Sequence, residues 1–516
     1  MMLFYTLDLF LLHILPTTTA AAAGAAYTAK DFILLNCGES SALNDNSRRS
    51  WDSDERTRYA PPNEAAISSA SVAFPMNPFV SQVPYETARV FHSPFSYSFP
   101  VLTGPECLRL YFYPTTYSTF NSSQSFFSVT ANGFTLLNNF SAFLNSPSPS
   151  EPSFKKEFII NVQENQRLKV TFIPNTNSSA FINGIELVSL PDHLYFRGDH
   201  MPIKFVDRLF YLTNDSALEN LYRLNVGGND VEIQDDSRMF RAWSQDDDYI
   251  LGADFGYTPH AEDLPIKYTD QTPPYSAPEI VYTTSRVMAN TSISLEWAFP
   301  VDSGFFYLLR FHFCEIQFEV IEQNERVFDV SVDNQPVDVQ VDVIFWTGGT
   351  QIPIFRDYVV WDCSYIFWNR VSNDGRRGKK DLRLSLSPNT RGHPKYNNAL
   401  LNGLEVFKLS DANRSLAVAN PEPTGSSSPS PLALKLPGNK KNKGSCVIYP
   451  VMGSLIGILA MVIAVCYSRQ SIYKHGLSIT SRYRTLTTGS RLPLPSDLRR
   501  YFSLDDIKTG NFNGNN

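Results

Sequence analysis

The sequence predicts a mainly β protein: two tandem antiparallel β-sandwich domains, then a disordered stalk, one transmembrane helix and a short cytosolic tail. Three observations carry that reading. Of 516 residues, 37 are Phe and 25 are Tyr, types that suit a pleated, half-buried surface. Segments such as "RLKVTFIP" and "DLRLSLSP" alternate apolar and polar side chains with the period of a strand. Finally, six sequence blocks occur twice, in the same order.

"FILLNCG" (Phe32 to Gly38) returns as "LYRLNVGG" (Leu221 to Gly228), and Arg49-x-Trp51-x-x-Asp54 as Arg241-x-Trp243-x-x-Asp246. Tyr85-x-Thr87-Ala88-Arg89 returns as Tyr282-x-Thr284-Ser285-Arg286, and Tyr97-x-Phe99-Pro100-Val101 as Trp297-x-Phe299-Pro300-Val301. "LRLYF" matches "LRFHF", and "FIPNT…INGIELVSLP" matches "LSPNT…LNGLEVFKLS". The offset grows from 189 at Asn36/Asn225 to 219 at Asn183/Asn402, as when loops lengthen in a second copy. A unit this long is a duplicated domain rather than a solenoid repeat.

The elements follow in order. Residues 1–26 carry a short apolar run and then small residues, the pattern of a signal peptide, although Asp8 and His13 interrupt the run. The two domains are expected at 27–200 and 201–410. Residues 411–444, rich in Ser, Pro, Gly and Lys without periodicity, read as a flexible stalk. Residues 445–467 lie in an uncharged stretch from Gly444 to Ser468, long enough to cross about 30 Å of hydrocarbon. Basic residues on the two sides nearly balance, so the signal peptide sets the orientation, with 468–516 in the cytosol. Six sequons, at Asn121, Asn139, Asn177, Asn214, Asn290 and Asn413, all precede the span, as expected of a glycosylated ectodomain.

A net charge of -7 argues against a general nucleic-acid binder. Cys37, Cys107, Cys314 and Cys363 precede the span and allow three pairings. Cys37–Cys107 and Cys314–Cys363 are favoured, one in each half, with buried free thiols the alternative. No cysteine spacing suggests a metal site. Asp246-Asp247-Asp248 is oxygen-rich but lacks the spacing and glycine of a calcium loop, so a structural or solvated loop is expected. Recurring in both copies, the Arg-x-Trp-x-x-Asp blocks are expected to fix a loop through an Arg–Asp pair beside a buried Trp. "YFYPTTYSTF" (Tyr111 to Phe120) could stack on sugar rings or face a core. In the tail, Ser478, Thr480, Ser481, Thr485, Thr487, Thr488 and Ser490 alternate with Lys474, Arg482, Arg484 and Arg491. Such a strip suits phosphorylation-sensitive attraction to anionic lipid, or a solvated linker.

"FILLNCGES", the two Arg-x-Trp-x-x-Asp blocks, "LLRFHFCEI" and "NGLEVFKLS" resemble the tandem malectin-like ectodomain of plant receptor-like kinases of the FERONIA type. The resemblance spans about residues 30 to 410 and resumes at "LPLPSDLRRYFSLDDIKTGNFN", similar to the segment that introduces the kinase in that family. It implies a plasma-membrane receptor for secreted peptides of the RALF type, with a GPI-anchored co-receptor and with wall pectin or another glycan as a further ligand. A wall-glycan tether is the rival reading. Through Asn516 there is no G-x-G-x-x-G over a strand pair, no V-A-I-K lysine, no H-R-D and no D-F-G. No catalytic residue and no cofactor is therefore expected in this chain, ATP and Mg belonging to a Ser/Thr kinase domain that follows in relatives. A kinase-less decoy or a fragment of a receptor kinase are the two forms that fit.

Overall fold

The computed structural model describes residues 27–421, apart from 362–378 and shorter stretches that include 62–66, 164–166, 197–201 and Asn290. The expected signal peptide, membrane span, cytosolic tail with its Ser/Thr and basic residues, and Cys363 lie outside the described residues. Among the described residues no helix is long and apolar enough to cross a membrane.

Eight strands organise the first half: β1 (Phe32–Asn36), β2 (Phe95–Pro100), β3 (Gly104–Phe112), β4 (Phe127–Ala131), β5 (Phe134–Phe140), β6 (Phe154–Val162), β7 (Arg167–Pro174) and β8 (Gly184–Ser189). Eight counterparts organise the second: β9 (Ala217–Asn225), β10 (Leu295–Asp302), β11 (Phe306–Phe313), β12 (Phe328–Val332), β13 (Gln335–Val341), β14 (Ile354–Trp361), β15 (Lys379–Pro388) and β16 (Gly403–Leu409). Each half forms an inner sheet, ordered β6-β3-β8-β1 in the first and β14-β11-β16-β9 in the second. The outer sheets, β5-β4-β7-β2 and β13-β12-β15-β10, repeat one another in the same way. The duplication visible in the sequence is thus a duplication of topology, strand for strand.

Alternation explains the packing of each sandwich. In β3, Leu108, Leu110 and Phe112 face the first core, where Phe127, Val129 and Phe172 of the outer sheet meet them. Tyr307, Leu309, Phe311 and Phe313 of β11 do the same against Phe328, Val330 and Leu384. Each fully buried Phe or Leu of this kind contributes roughly 1.5–3 kcal/mol.

The halves are not beads on a string. β6 pairs antiparallel with β9, from Glu157/Asn220 to Ile160/Ala217, and so joins the two inner sheets into one of 13 strands. A third core covers the back of this joined sheet: Cys107, Ile159 and Val188 from the first half, Leu218, Leu308, Val359 and Phe407 from the second. Leu190, Leu194, Tyr195, Phe196, Ile203 and Leu212 of the connecting segment pack onto it. Residues on both sides of the expected domain boundary at 200 thus belong to a packing layer shared by the halves.

Two expectations are corrected. Cys37 and Cys107 are separate buried thiols. Cys107 is registered with Val188, whereas the Cys37 amide donates to Asn183 O at the far end of β8. Five residues of strand span roughly 16 Å, well beyond the ~4.4–6.8 Å between Cα atoms that a disulfide needs. Burial pushes the Cys107 thiol up to about 12. Cys314 is also a buried thiol, and its favoured partner Cys363 lies outside the described residues.

The expected start of the stalk, from residue 411, is docked on the fold. Residues 411–421 return to the first half, where Ser415 bridges Thr135 of β5 and Leu416 is fully buried in the first core. A composition poor in periodicity hid two docked apolar residues, Leu416 and Val418.

Buried Glu106, beside Asp31, gives the fold a pH signature. Burial and the Asp31 charge and hydrogen bond push its carboxyl up to about 9. The folded chain holds this proton between the ordinary carboxyl range near 4.5 and about 9, while the unfolded chain has released it. Its contribution is therefore complete below about 4.5 and is lost as pH rises towards 9. Glu106→Gln, which keeps a donor and cannot titrate, is expected to gain stability over the natural chain by a few kcal/mol across that window. Denaturant titrations of both proteins at pH 4.5, 6.5 and 8.5 check this; a difference independent of pH refutes it.

Candidate ligand-binding surface

The repeated blocks converge in space. Asp54 accepts hydrogen bonds from the Gly38 amide, from both Arg89 nitrogens Nε and Nη2, and from the Tyr97 hydroxyl. Asp246 accepts the equivalent set from the Gly227 amide, Arg286 and Trp297 Nε1. Asn183 donates to the carbonyls of Tyr85 and Thr87, and Asn402 to those of Tyr282 and Thr284. Four conserved-in-duplicate blocks thus meet at one buried carboxylate in each half, and a fifth contact, the asparagine, ties the last strand to the third block.

This corrects the expected pairing within the Arg-x-Trp-x-x-Asp blocks. Trp51 and Trp243 are buried as expected, but Asp54 and Asp246 pair with arginines of the following block. Arg49 instead binds Asp45 and Glu186, and Arg241 binds Asp236. Each of these two arginines also lies over its own tryptophan, at 5.6 Å for Arg49 and 5.5 Å for Arg241.

Across the back of the joined sheet runs a row of alternating charge. Asp357 pairs with Arg310 at 2.8 Å, and Arg310 is registered with Glu405. Glu405 then pairs with Arg223, Arg223 with Glu157, Glu157 with Arg109, Arg109 with Glu186, and Glu186 with Arg49. Four carboxylates and four guanidiniums compensate one another in a buried layer, where an unpaired charge costs several kcal/mol. Arg223 on β9 joins the halves, with one nitrogen on Glu157 of the first and another on Glu405 of the second.

Neighbouring side chains set the protonation states. Burial pushes the Glu405 carboxyl up, but the hydrogen bond from His312 and the Arg223 charge outweigh it and hold it well below the usual range. Burial likewise lowers His312, keeping it neutral. Its Nε2 is 3.2 Å from Glu405 and its Nδ1 2.9 Å from the Tyr282 hydroxyl, so the ring donates to the carboxylate and accepts from the tyrosine. These groups are satisfied and enclosed; they organise the frame of the fold rather than meet a ligand.

A surface suited to a partner lies elsewhere, on loops at one end of the second sandwich. Phe318 is 80% exposed, Phe345 64% and Ile321 61%, with Phe255 and Tyr257 also exposed. Contacts tie these loops together. Gln317 donates to the Tyr257 hydroxyl at 2.9 Å and accepts from Arg326 at 2.6 Å. The Asn324 amide donates to Asp342, which also caps the helical turn Val343–Thr347 that carries Phe345. Glu319 and Glu322 are exposed on the same loop as Phe318 and Ile321. Exposed apolar side chains with acidic neighbours, on loops braced to one another, have the composition of a protein- or peptide-binding face.

The Malectin-like domain family matches residues 35–409. The chain belongs to the malectin-like family. It is 37% identical to the receptor-like protein kinase FERONIA of Arabidopsis thaliana over 542 residues, covering 99% of this chain and 59% of FERONIA. The chain therefore spans about three-fifths of that relative. The crystal structure of the plant receptor-like kinase FER matches with a TM-score of 0.68 at 40% identity, covering 76% of this chain and 99% of that one. The crystal structure of the peptide RALF23 in complex with FER and LLG2 matches with a TM-score of 0.68 at 39% identity, covering 77% of this chain and 99% of that one.

Within the malectin-like pair, the aromatic run from Tyr111 to Phe120 is core. Phe112 packs on Phe127, Phe140, Phe154 and Phe181, while Tyr113 and Tyr117 are buried. Stacking of Tyr111, Phe112, Tyr113 and Tyr117 on a sugar is thereby closed off, while Phe120 is half-buried against the same core. Asp246 is consumed by Arg286, and among the described residues no cluster of His, Cys, Asp or Glu could hold a metal ion. Of the expected glycosylation sites, Asn121, Asn139, Asn177 and Asn413 are exposed and Asn214 is half-buried; Asn290 lies outside the described residues. Sequence reasoning missed the Phe318 loop because it sought aromatics in the first copy. The available signal was apolar Phe318 and Ile321 interleaved with Glu319 and Glu322 in the corresponding loop of the second.

Proposed function

We propose that this chain is the ligand-binding portion of a single-pass plasma-membrane receptor that takes a RALF-type peptide together with a GPI-anchored co-receptor of the LLG type. The likeness to FER in its complex with RALF23 and LLG2 carries this reading. The Phe318–Phe345 loop cluster is its candidate docking face, since apolar anchors within an acidic margin suit a cationic peptide or the co-receptor that presents it. In the same reading, residues 1–26 direct secretion, 445–467 cross the membrane, and the sequons carry glycans outside the cell. Full-length relatives bear the name of protein kinases, and a cytosolic Ser/Thr kinase following residue 516 would convert ligand-driven rearrangement into phosphorylation.

The test is calorimetric titration of the secreted residues 27–421 with RALF23, with and without LLG2. Saturable binding strengthened by LLG2 is expected, and no binding in either case refutes the function. Phe318→Ser with Ile321→Ser is expected to weaken the ternary complex at least tenfold while leaving Tm nearly unchanged, because both side chains are exposed. Full affinity in this variant moves the docking face elsewhere.

A further inference from the structure

We propose that residues 411–421 form a releasable clasp over the seam between the halves, and that its opening is a discrete step that leaves both sandwiches folded. The segment follows β16 of the second half yet fastens to the edge strand β5 of the first. The Thr135 amide donates to Arg414 O and the Leu416 amide to Thr135 O, both at 2.9 Å. Leu416 enters the first core while Val418 packs against the second. Arg414 lies 4.1 Å over the Phe134 ring and pairs with Asp215 at the start of the second half. Asn420 closes the far end, accepting from the Ser141 amide and from Asn145 and donating to Asn139 O.

These attachments reach an edge strand through one bridge, whereas β6 and β9 lie inside the joined sheet with a paired strand on either side. Local opening free energies follow such differences in contact, so a segment held this way opens before the sheet does. Asn420, next to the last described residue, therefore lies against β5 of the first half, beside the β4–β5 hairpin. Release uncovers the edge of β5 and the slot of Leu416.

Hydrogen exchange of the full chain in detergent micelles, followed by mass spectrometry, tests this without any ligand. In Leu416→Ala, the amides of Thr135, Ser141 and Leu416 are expected to lose protection together, by about 100-fold, while β6 and β9 keep theirs. Asn420→Ala, which leaves the core intact, is expected to shift the same amides by a smaller factor. Unchanged exchange at these amides in both variants overturns the proposal. So does loss of protection in β6 and β9 in step with the clasp, which would make the segment part of the global unfolding unit.

Discussion

Arg223→Met is expected to destabilise the protein by about 3–5 kcal/mol, because it takes one partner from each of two buried carboxylates and leaves the row with an uncompensated negative charge. Glu157 and Glu405 each lose a guanidinium partner, at 2.8 and 2.9 Å. Burial alone pushes both carboxyls up, and Arg223 is among the charges that hold them down. The loss is concentrated at the junction of the halves, so thermal unfolding should begin there and Tm should fall by roughly 5 °C. Arg223→Lys retains the charge without the two-pronged geometry and is expected to recover part of the loss. Differential scanning calorimetry of the three proteins at neutral pH decides the matter. A methionine variant as stable as the natural chain would mean the charge row is not holding the halves together.

The second large effect is expected at paired glycines. A methyl group on Gly227 would sit 2.3 Å from Ser285 O, and on Gly38 it would sit 2.4 Å from Ala88 O. Both residues also have positive φ, +73° and +86°. The left-handed backbone costs an L-residue about 1–2 kcal/mol, and forced overpacking adds about 1–3 kcal/mol. Gly38→Ala and Gly227→Ala should therefore each lose about 2–5 kcal/mol and much of their secretion yield. Their amides donate to Asp54 and Asp246, so the displaced turn would also disturb the two buried carboxylates. Equal losses in the two variants would show that the copies still depend on the same turn; tolerance at either one refutes the close approach there.

The duplication was legible because it is written in the residues themselves, and alternation was enough to place the strands. Pairings across blocks were not legible. Asp54 finds Arg89 35 residues away, while Arg49, its neighbour in sequence, points to Glu186. The charge row was hidden for a related reason. Arg109, Glu157, Glu186 and Arg223 each occupy an ordinary polar position of an alternating strand. Only the strand order β9-β6-β3-β8 puts them in line. Cysteine spacing gave no information on disulfide geometry, and composition did not show that residues 411–421 dock on the fold. The exposed loop cluster is carried by the longer loops of the second copy, where a growing offset marked insertions without saying what they present.

The two ends of the joined sheet differ from its middle. At one end β1 is flanked by the short parallel strand Ser50–Ser53, and at the other β14 is flanked by Ile203–Phe205. The contact between copies is made by β6 and β9, and β9 carries Arg223 where β1 carries Leu34. An ancestral unit joined to itself head to tail would have offered the same edges indefinitely, as repeat arrays do. Here the first unit has its leading edge occupied, the second has its trailing edge occupied, and the ionic join has no twin. Among the described residues, a further unit would meet only short strands at these ends, and not the full-length edges by which β6 and β9 join.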